Sequence, residues 1–145
     1  MFEKIKSIFT KAQHKKGNSH ITILVVEDNE LDQKLITSIL IRHGYNVVTA
    51  GNGQIGLDKV KTQKPNAIIL DCEMPVMGGL EMCKRLKEQN ETVDIPIAFL
   101  TSLNTPKNIL DCFELDAENY LSKPVNAKIL ISQVEALLNE GSSKK

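Results

Sequence analysis

Five side chains in this 145-residue sequence stand where short apolar runs end. Glu27 and Asp28 close ITILVV, Asp71 closes AIIL, Thr101 closes IAFL, and Lys123 comes shortly after a run that stops at Leu121. Taken singly, each has an ordinary use. An acidic pair after a strand is usually solvated, a lone Asp before a turn is often a turn residue, a Thr there caps, and a Lys before Pro faces water. Taken together on neighbouring strands, they put three carboxylates, a hydroxyl and an amine at one edge. Carboxylates that close repel one another, and the pKa of at least one rises. A divalent cation removes that conflict. Hard oxygen donors with no His or Cys beside them select Mg²⁺ or Mn²⁺ over zinc. Beside such a cation and a lysine, Asp71 can attack phosphorus as a nucleophile and become an aspartyl phosphate. Lys123 and the cation would spread charge on the phosphoryl oxygens, and the Thr101 hydroxyl would donate to a third oxygen.

The chemistry depends on the elements that carry these residues. Residues 21–26 are β-branched and apolar, which fits a strand buried on both faces. After Asn29, the residues Leu31, Leu35, Ile36, Ile39 and Leu40 form one helical stripe, closed by Gly44 as a left-handed cap. Residues 45–50 are extended, Gly51-Asn52-Gly53 is a turn, and a helix with Ile55, Leu57 and Val60 stops before Pro65. The pattern repeats. Strands are expected at 67–70, 95–100 and 117–121. Helices are expected at 80–89, from Thr105-Pro106 through Phe113, and at 126–139 with Ile129, Leu130, Val134, Leu137 and Leu138 inward. Five strands alternating with five helices predict a doubly wound parallel α/β sheet. Ligands of such sheets bind beyond the carboxyl ends of the strands, which is where the five side chains lie.

Composition narrows the function classes. Apolar residues are 41% and charged residues 25%, ordinary for a globular domain. Lys+Arg and Asp+Glu both number 18, which argues against a nucleic-acid binder. No apolar run approaches a membrane span, and the N-terminus has no secretory h-region. Three cysteines without a CxxC fit small buried side chains in a reducing, cytoplasmic setting. Charge is uneven: residues 1–20 hold five lysines against one glutamate. The sequence therefore divides into a basic amphipathic segment over 1–19, a domain over 20–140 and a polar tail over 141–145. In the first segment Phe2, Ile5, Ile8, Phe9 and Ala12 form an apolar stripe among lysines. A docking helix or partly helical tail is favoured there over contact of residues 1–16 with a membrane surface.

The stretches LVVEDN (24–29), IILDCEMPVMGGLE (68–81), Thr101 after IAFL, and YLSKP (120–124) resemble the receiver domain of two-component response regulators, over about residues 21–139. The wording VEDNELDQKLI resembles hybrid-kinase and phosphorelay receivers. The resemblance implies a flavodoxin-like fold and a phospho-switch rather than a turnover enzyme. Asp71 would accept a phosphoryl group from a phosphohistidine of a sensor histidine kinase or histidine phosphotransfer protein. Asp28, Asp71 and the Glu73 backbone carbonyl would hold Mg²⁺, with Glu27 acting through water. Thr101 and Lys123 would hold phosphoryl oxygens, and Tyr120 would follow Thr101 as the switch aromatic. The surface of the fourth helix, fifth strand and fifth helix would change in response. The Lys123-Pro124 bond would be cis. The chain is expected to act as a stand-alone receiver, with protein contact or onward phosphotransfer as its output.

This sequence departs from the family pattern at Gly78, Asp116 and Asn119, which remove no chemistry, and at Glu73, which would tune the phosphate lifetime. Two other functions compete. One is a pseudo-receiver that binds partners without phosphate. The other is a Mg²⁺-dependent phosphatase of the haloacid-dehalogenase type. That class places its nucleophile after the first strand and a second Asp two residues on, whereas Asp71 follows the third strand and Glu73 stands at that place.

Overall fold

The computed structural model describes residues 18–72, 74, 76–101 and 119–143. Its elements in chain order are β1 (Thr22–Val26), α1 (Glu30–Arg42), β2 (Asn46–Ala50), α2 (Gly53–Gln63), β3 (Ala67–Asp71), α3 (Gly79–Lys87), β4 (Ile97–Thr101), β5 (Asn119–Ser122) and α4 (Ala127–Ser143). The five strands pair in parallel in the order β2-β1-β3-β4-β5, which is the flavodoxin-like order. The order reverses between β1 and β3, and that is where such a sheet leaves a crevice at its carboxyl edge.

Alternation along each strand sorts the core into two layers. Ile23, Val25, Ala67, Ile69, Ala98 and Leu100 face one side, where Ile36 and Leu40 of α1 and Leu130, Val134 and Leu137 of α4 cover them. Leu24, Val26, Ile68, Leu70, Ile97 and Phe99 face the other, against Val60 of α2 and Met82, Cys83 and Leu86 of α3. Both faces of the sheet are apolar because both are covered, which explains why the strands read as unbroken apolar runs.

Local chemistry sets where the helices start and stop. The Asn29 side chain caps α1 by accepting from the Asp32 N–H at 2.9 Å, and the Asn52 side chain caps α2 by accepting from the Ile55 N–H at 2.9 Å. Gly44, at φ 89°, turns the chain out of α1 as expected, and Lys64, at φ 46°, ends α2. The Lys123-Pro124 peptide is cis, as the family resemblance implies.

Several expectations are corrected. Leu31 is 79% exposed, and Leu35 and Ile129 also face outward. The buried face of α1 is the trio Ile36, Ile39 and Leu40, an i, i+3, i+4 set. The last helix continues to Ser143, past the Gly141 at which the polar tail was expected to begin. A glycine in a helix costs only about 1 kcal/mol relative to alanine and need not stop it. Four helices lie among the described residues. The helix expected around 105–113 and nearly all of the basic segment over 1–19 lie outside them. Among the described residues no helix is long and apolar enough to cross a membrane.

The segment between β3 and α3 is clamped at its far end. A Cβ built on Gly79 would collide with the Asp71 carbonyl oxygen, so only glycine lets α3 start this close to the end of β3. Gly79→Ala is expected to lower stability by about 1–3 kcal/mol, the usual range for overpacking, read as a lower urea midpoint at unchanged m.

Candidate functional site

Strand register builds the site. Val26 of β1 lies beside Leu70 of β3. The next residues, Glu27 and Asp71, therefore leave the sheet side by side and on the same face. Asp71 pairs with Leu100, so Thr101 ends β4 one residue further along. Thr101 pairs with Ser122, and the Lys123 N–H donates to the Thr101 carbonyl at 3.0 Å. Four parallel strands thus deliver acid, acid, hydroxyl and amine to one edge.

Lys123 sits among the acids. Its Nζ donates to Asp71 Oδ2 at 3.0 Å and lies 2.6 Å from Glu27 Oε1 and 3.3 Å from Asp32 Oδ2. Glu27 is fully buried and Asp71 nearly so. The Asn29 N–H donates to Glu27 Oε2 at 3.1 Å, whereas Oε1 faces the ammonium charge without an aligned hydrogen bond. Gln33 ties the neighbouring backbone by donating to the Glu27 carbonyl at 2.9 Å.

Burial dominates the electrostatics. It pushes the Glu27 carboxyl up to about 7, and the Asp71 carboxyl adds to the rise, while Lys123 and the Asn29 N–H pull it back. Burial alone would lower the Lys123 ammonium. Its contacts with Glu27 and Asp71 outweigh that and hold it above the usual lysine range. One lysine is too little charge for this many carboxylates.

The donor set fits a hard divalent cation. Glu27, Asp28 and Asp71 each offer a carboxylate oxygen, all within 4.8 Å of one another, with Asp28 exposed to solvent. The donors are all oxygen, and their excess negative charge is of the kind that Mg²⁺ would neutralise. The structure therefore brings together Glu27, Asp28, Asp71 and Lys123. Thr101 ends the adjacent strand, and Tyr120 pairs with Phe99 and packs against the same apolar layer. Glu73 lies outside the described residues. Sequence reading missed Asp32 and Gln33. Their signal was position: the first turn of a helix that begins three residues after a strand-end acid.

This fold and site define a response regulator receiver domain, and the comparisons agree. The family described as "Response regulator receiver domain" matches residues 23–135, so the chain belongs to that family. The alkaline phosphatase synthesis transcriptional regulatory protein PhoP of Bacillus subtilis is 37% identical over 80% of this chain and 48% of its own length. Histidine kinase P4 of Formosa agariphila is 37% identical over 81% of this chain and 8% of its own. The receiver domain of a Pseudomonas aeruginosa sensor histidine kinase, solved with magnesium coordinated in its active-site cleft, superposes with a TM-score of 0.77. It is 27% identical and covers 82% of this chain and 98% of that one. The chain spans about half the length of PhoP and of several other curated relatives it matches.

The charge imbalance has a testable consequence in metal-free protein. Lys123→Ala strands two buried carboxylates and is expected to cost roughly 3–5 kcal/mol. Asp71→Asn removes one crowded charge and is expected to raise the denaturant midpoint. Equilibrium unfolding of the two variants with EDTA present, side by side with wild type, checks both signs.

Proposed function

We propose that this chain is a phospho-accepting switch of a two-component system, charged at Asp71 by a sensor histidine kinase or a histidine phosphotransfer protein. One observation supports this above the others: the Lys123 ammonium lies within 3.0 Å of the Asp71 carboxylate, at the edge of the sheet where Glu27 and Asp28 also end. An Asp71 oxygen attacks phosphorus, the phosphorus–nitrogen bond of phosphohistidine breaks, and its electron pair returns to the imidazole nitrogen. Lys123 moves from carboxylate to phosphoryl oxygen, where it offsets the charge gained. The Thr101 hydroxyl donates to another phosphoryl oxygen. Asp28 and Asp71, with the Glu73 carbonyl, would hold Mg²⁺ (or Mn²⁺) and Glu27 would reach it through water. The cation supplies the positive charge that lets a dianionic phosphoryl group approach clustered acids.

The output is a population shift. Phosphate draws Thr101 inward and Tyr120 follows, which biases the surface around β5. A helix over 105–113 would complete that surface and bring the helices to five. A cytoplasmic setting suits partners of this kind. The haloacid-dehalogenase reading is disfavoured, since Asp71 ends β3 and not β1. A pseudo-receiver reading is disfavoured by the complete set of acids, hydroxyl and lysine.

Incubation with acetyl phosphate and Mg²⁺, read by intact mass, is expected to give one phosphoryl adduct on wild type. The adduct is expected to be absent from Asp71→Asn and from wild type in EDTA. An adduct on Asp71→Asn would place the acceptor elsewhere, and continuous release of phosphate from a phosphomonoester would point to the phosphatase class.

A further inference from the structure

We propose that Asp32 is a positioning residue for Lys123, holding the ammonium back from an incoming phosphoryl group and so slowing loading by small free donors. The inference rests on the phosphoacceptor reading of Asp71. Lysine has three ammonium protons, and three carboxylates surround Nζ: Glu27 at 2.6 Å, Asp71 at 3.0 Å and Asp32 at 3.3 Å. Two of these belong to buried strand ends. The third comes from the first turn of α1, where the Asp32 N–H is fixed by the Asn29 side chain at 2.9 Å. Glu27 and Asp71 pull the ammonium inward. Asp32, with 35% of its side chain exposed, holds it from the solvent side of the cluster.

That placement has two effects of the same sign. To reach a phosphoryl oxygen, Lys123 must loosen its hold on carboxylates, and Asp32 adds one more to loosen. Asp32 also sets a partly exposed negative charge beside Lys123, which an anionic donor must approach. A docked protein donor supplies binding free energy that offsets both terms, whereas a small acyl phosphate supplies little. The residue thus biases charging toward protein partners. A pair with one partly exposed member contributes modestly, so the expected change on removing the Asp32 charge is about two- to five-fold in rate.

The test uses the full chain as wild type, Asp32→Asn, Asp32→Glu and Asp71→Asn. The first readout is the Lys123 ammonium signal in ¹H–¹⁵N correlation spectra of metal-free protein, assigned by its loss in Lys123→Arg. A three-carboxylate hold slows proton exchange. The signal is expected to be sharp in wild type, broadened or lost in Asp32→Asn and kept in Asp32→Glu. The second readout is the rate of loading by acetyl phosphate with Mg²⁺. In that reaction the Asp71 oxygen–phosphorus bond forms, the phosphorus–oxygen bond to acetate breaks, and acetate leaves with the electron pair. Asp32→Asn is expected to load about two- to five-fold faster than wild type, and Asp32→Glu close to wild type. An unchanged ammonium signal in Asp32→Asn, or a loading rate equal to or below wild type, overturns the proposal. No adduct on any chain would instead sink the phosphoacceptor reading, and the ammonium signal alone would then decide whether Asp32 holds Lys123.

Discussion

The Lys123 ammonium among its carboxylates is the interaction on which the rest of the structure turns. Glu27 has no exposed surface, and Asp71 retains 5%. Acids so buried need an opposite charge close by, and one lysine supplies it to both. The arrangement balances charge only in part. The deficit leaves the metal-free site poised to gain positive charge, and it would hold off an anionic group until that charge arrives.

The lysine is where it is because of register. A parallel sheet brings every carboxyl end to one edge, so residues that follow different strands meet without a dedicated loop to gather them. Slipping one strand by a single residue would turn its last side chain to the opposite face. The pairing of Val26 with Leu70 and of Thr101 with Ser122 therefore determines the site as firmly as the identities of the acids do. The apolar layers hold that register, which joins the core to the chemistry through geometry alone.

Much of this was legible in the sequence. Alternating apolar runs and stripes indicated the doubly wound sheet, and the rule that ligands sit beyond strand ends picked out Glu27, Asp28, Asp71, Thr101 and Lys123. What escaped notice lay on helices. Asp32 looked like one more solvated charge in a first helical turn, since nothing in its neighbours says that a lysine ninety residues away will reach it. Leu31 and Leu35 looked inward-facing because their spacing was helical. The sheet covers a narrower stripe than the spacing allows, and of the helix's apolar residues only Ile36, Ile39 and Leu40 are buried. Periodicity records which residues share a side of a helix; the neighbouring element decides how wide that side must be.

β5 has four residues, lies at the edge of the sheet and is the last strand in sequence among the described residues. Lys123 follows it directly. During synthesis the acids of β1 and β3 leave the ribosome well before their counter-ion does. With β1 and β3 paired but β5 not docked, Glu27 and Asp71 would lie side by side with no lysine between them. Contacts this far apart in sequence cost loop-closure entropy and slow folding. Asp71 is not fully surrounded until the edge strand docks, so fraying of β5 would strip the buried acids of their counter-ion.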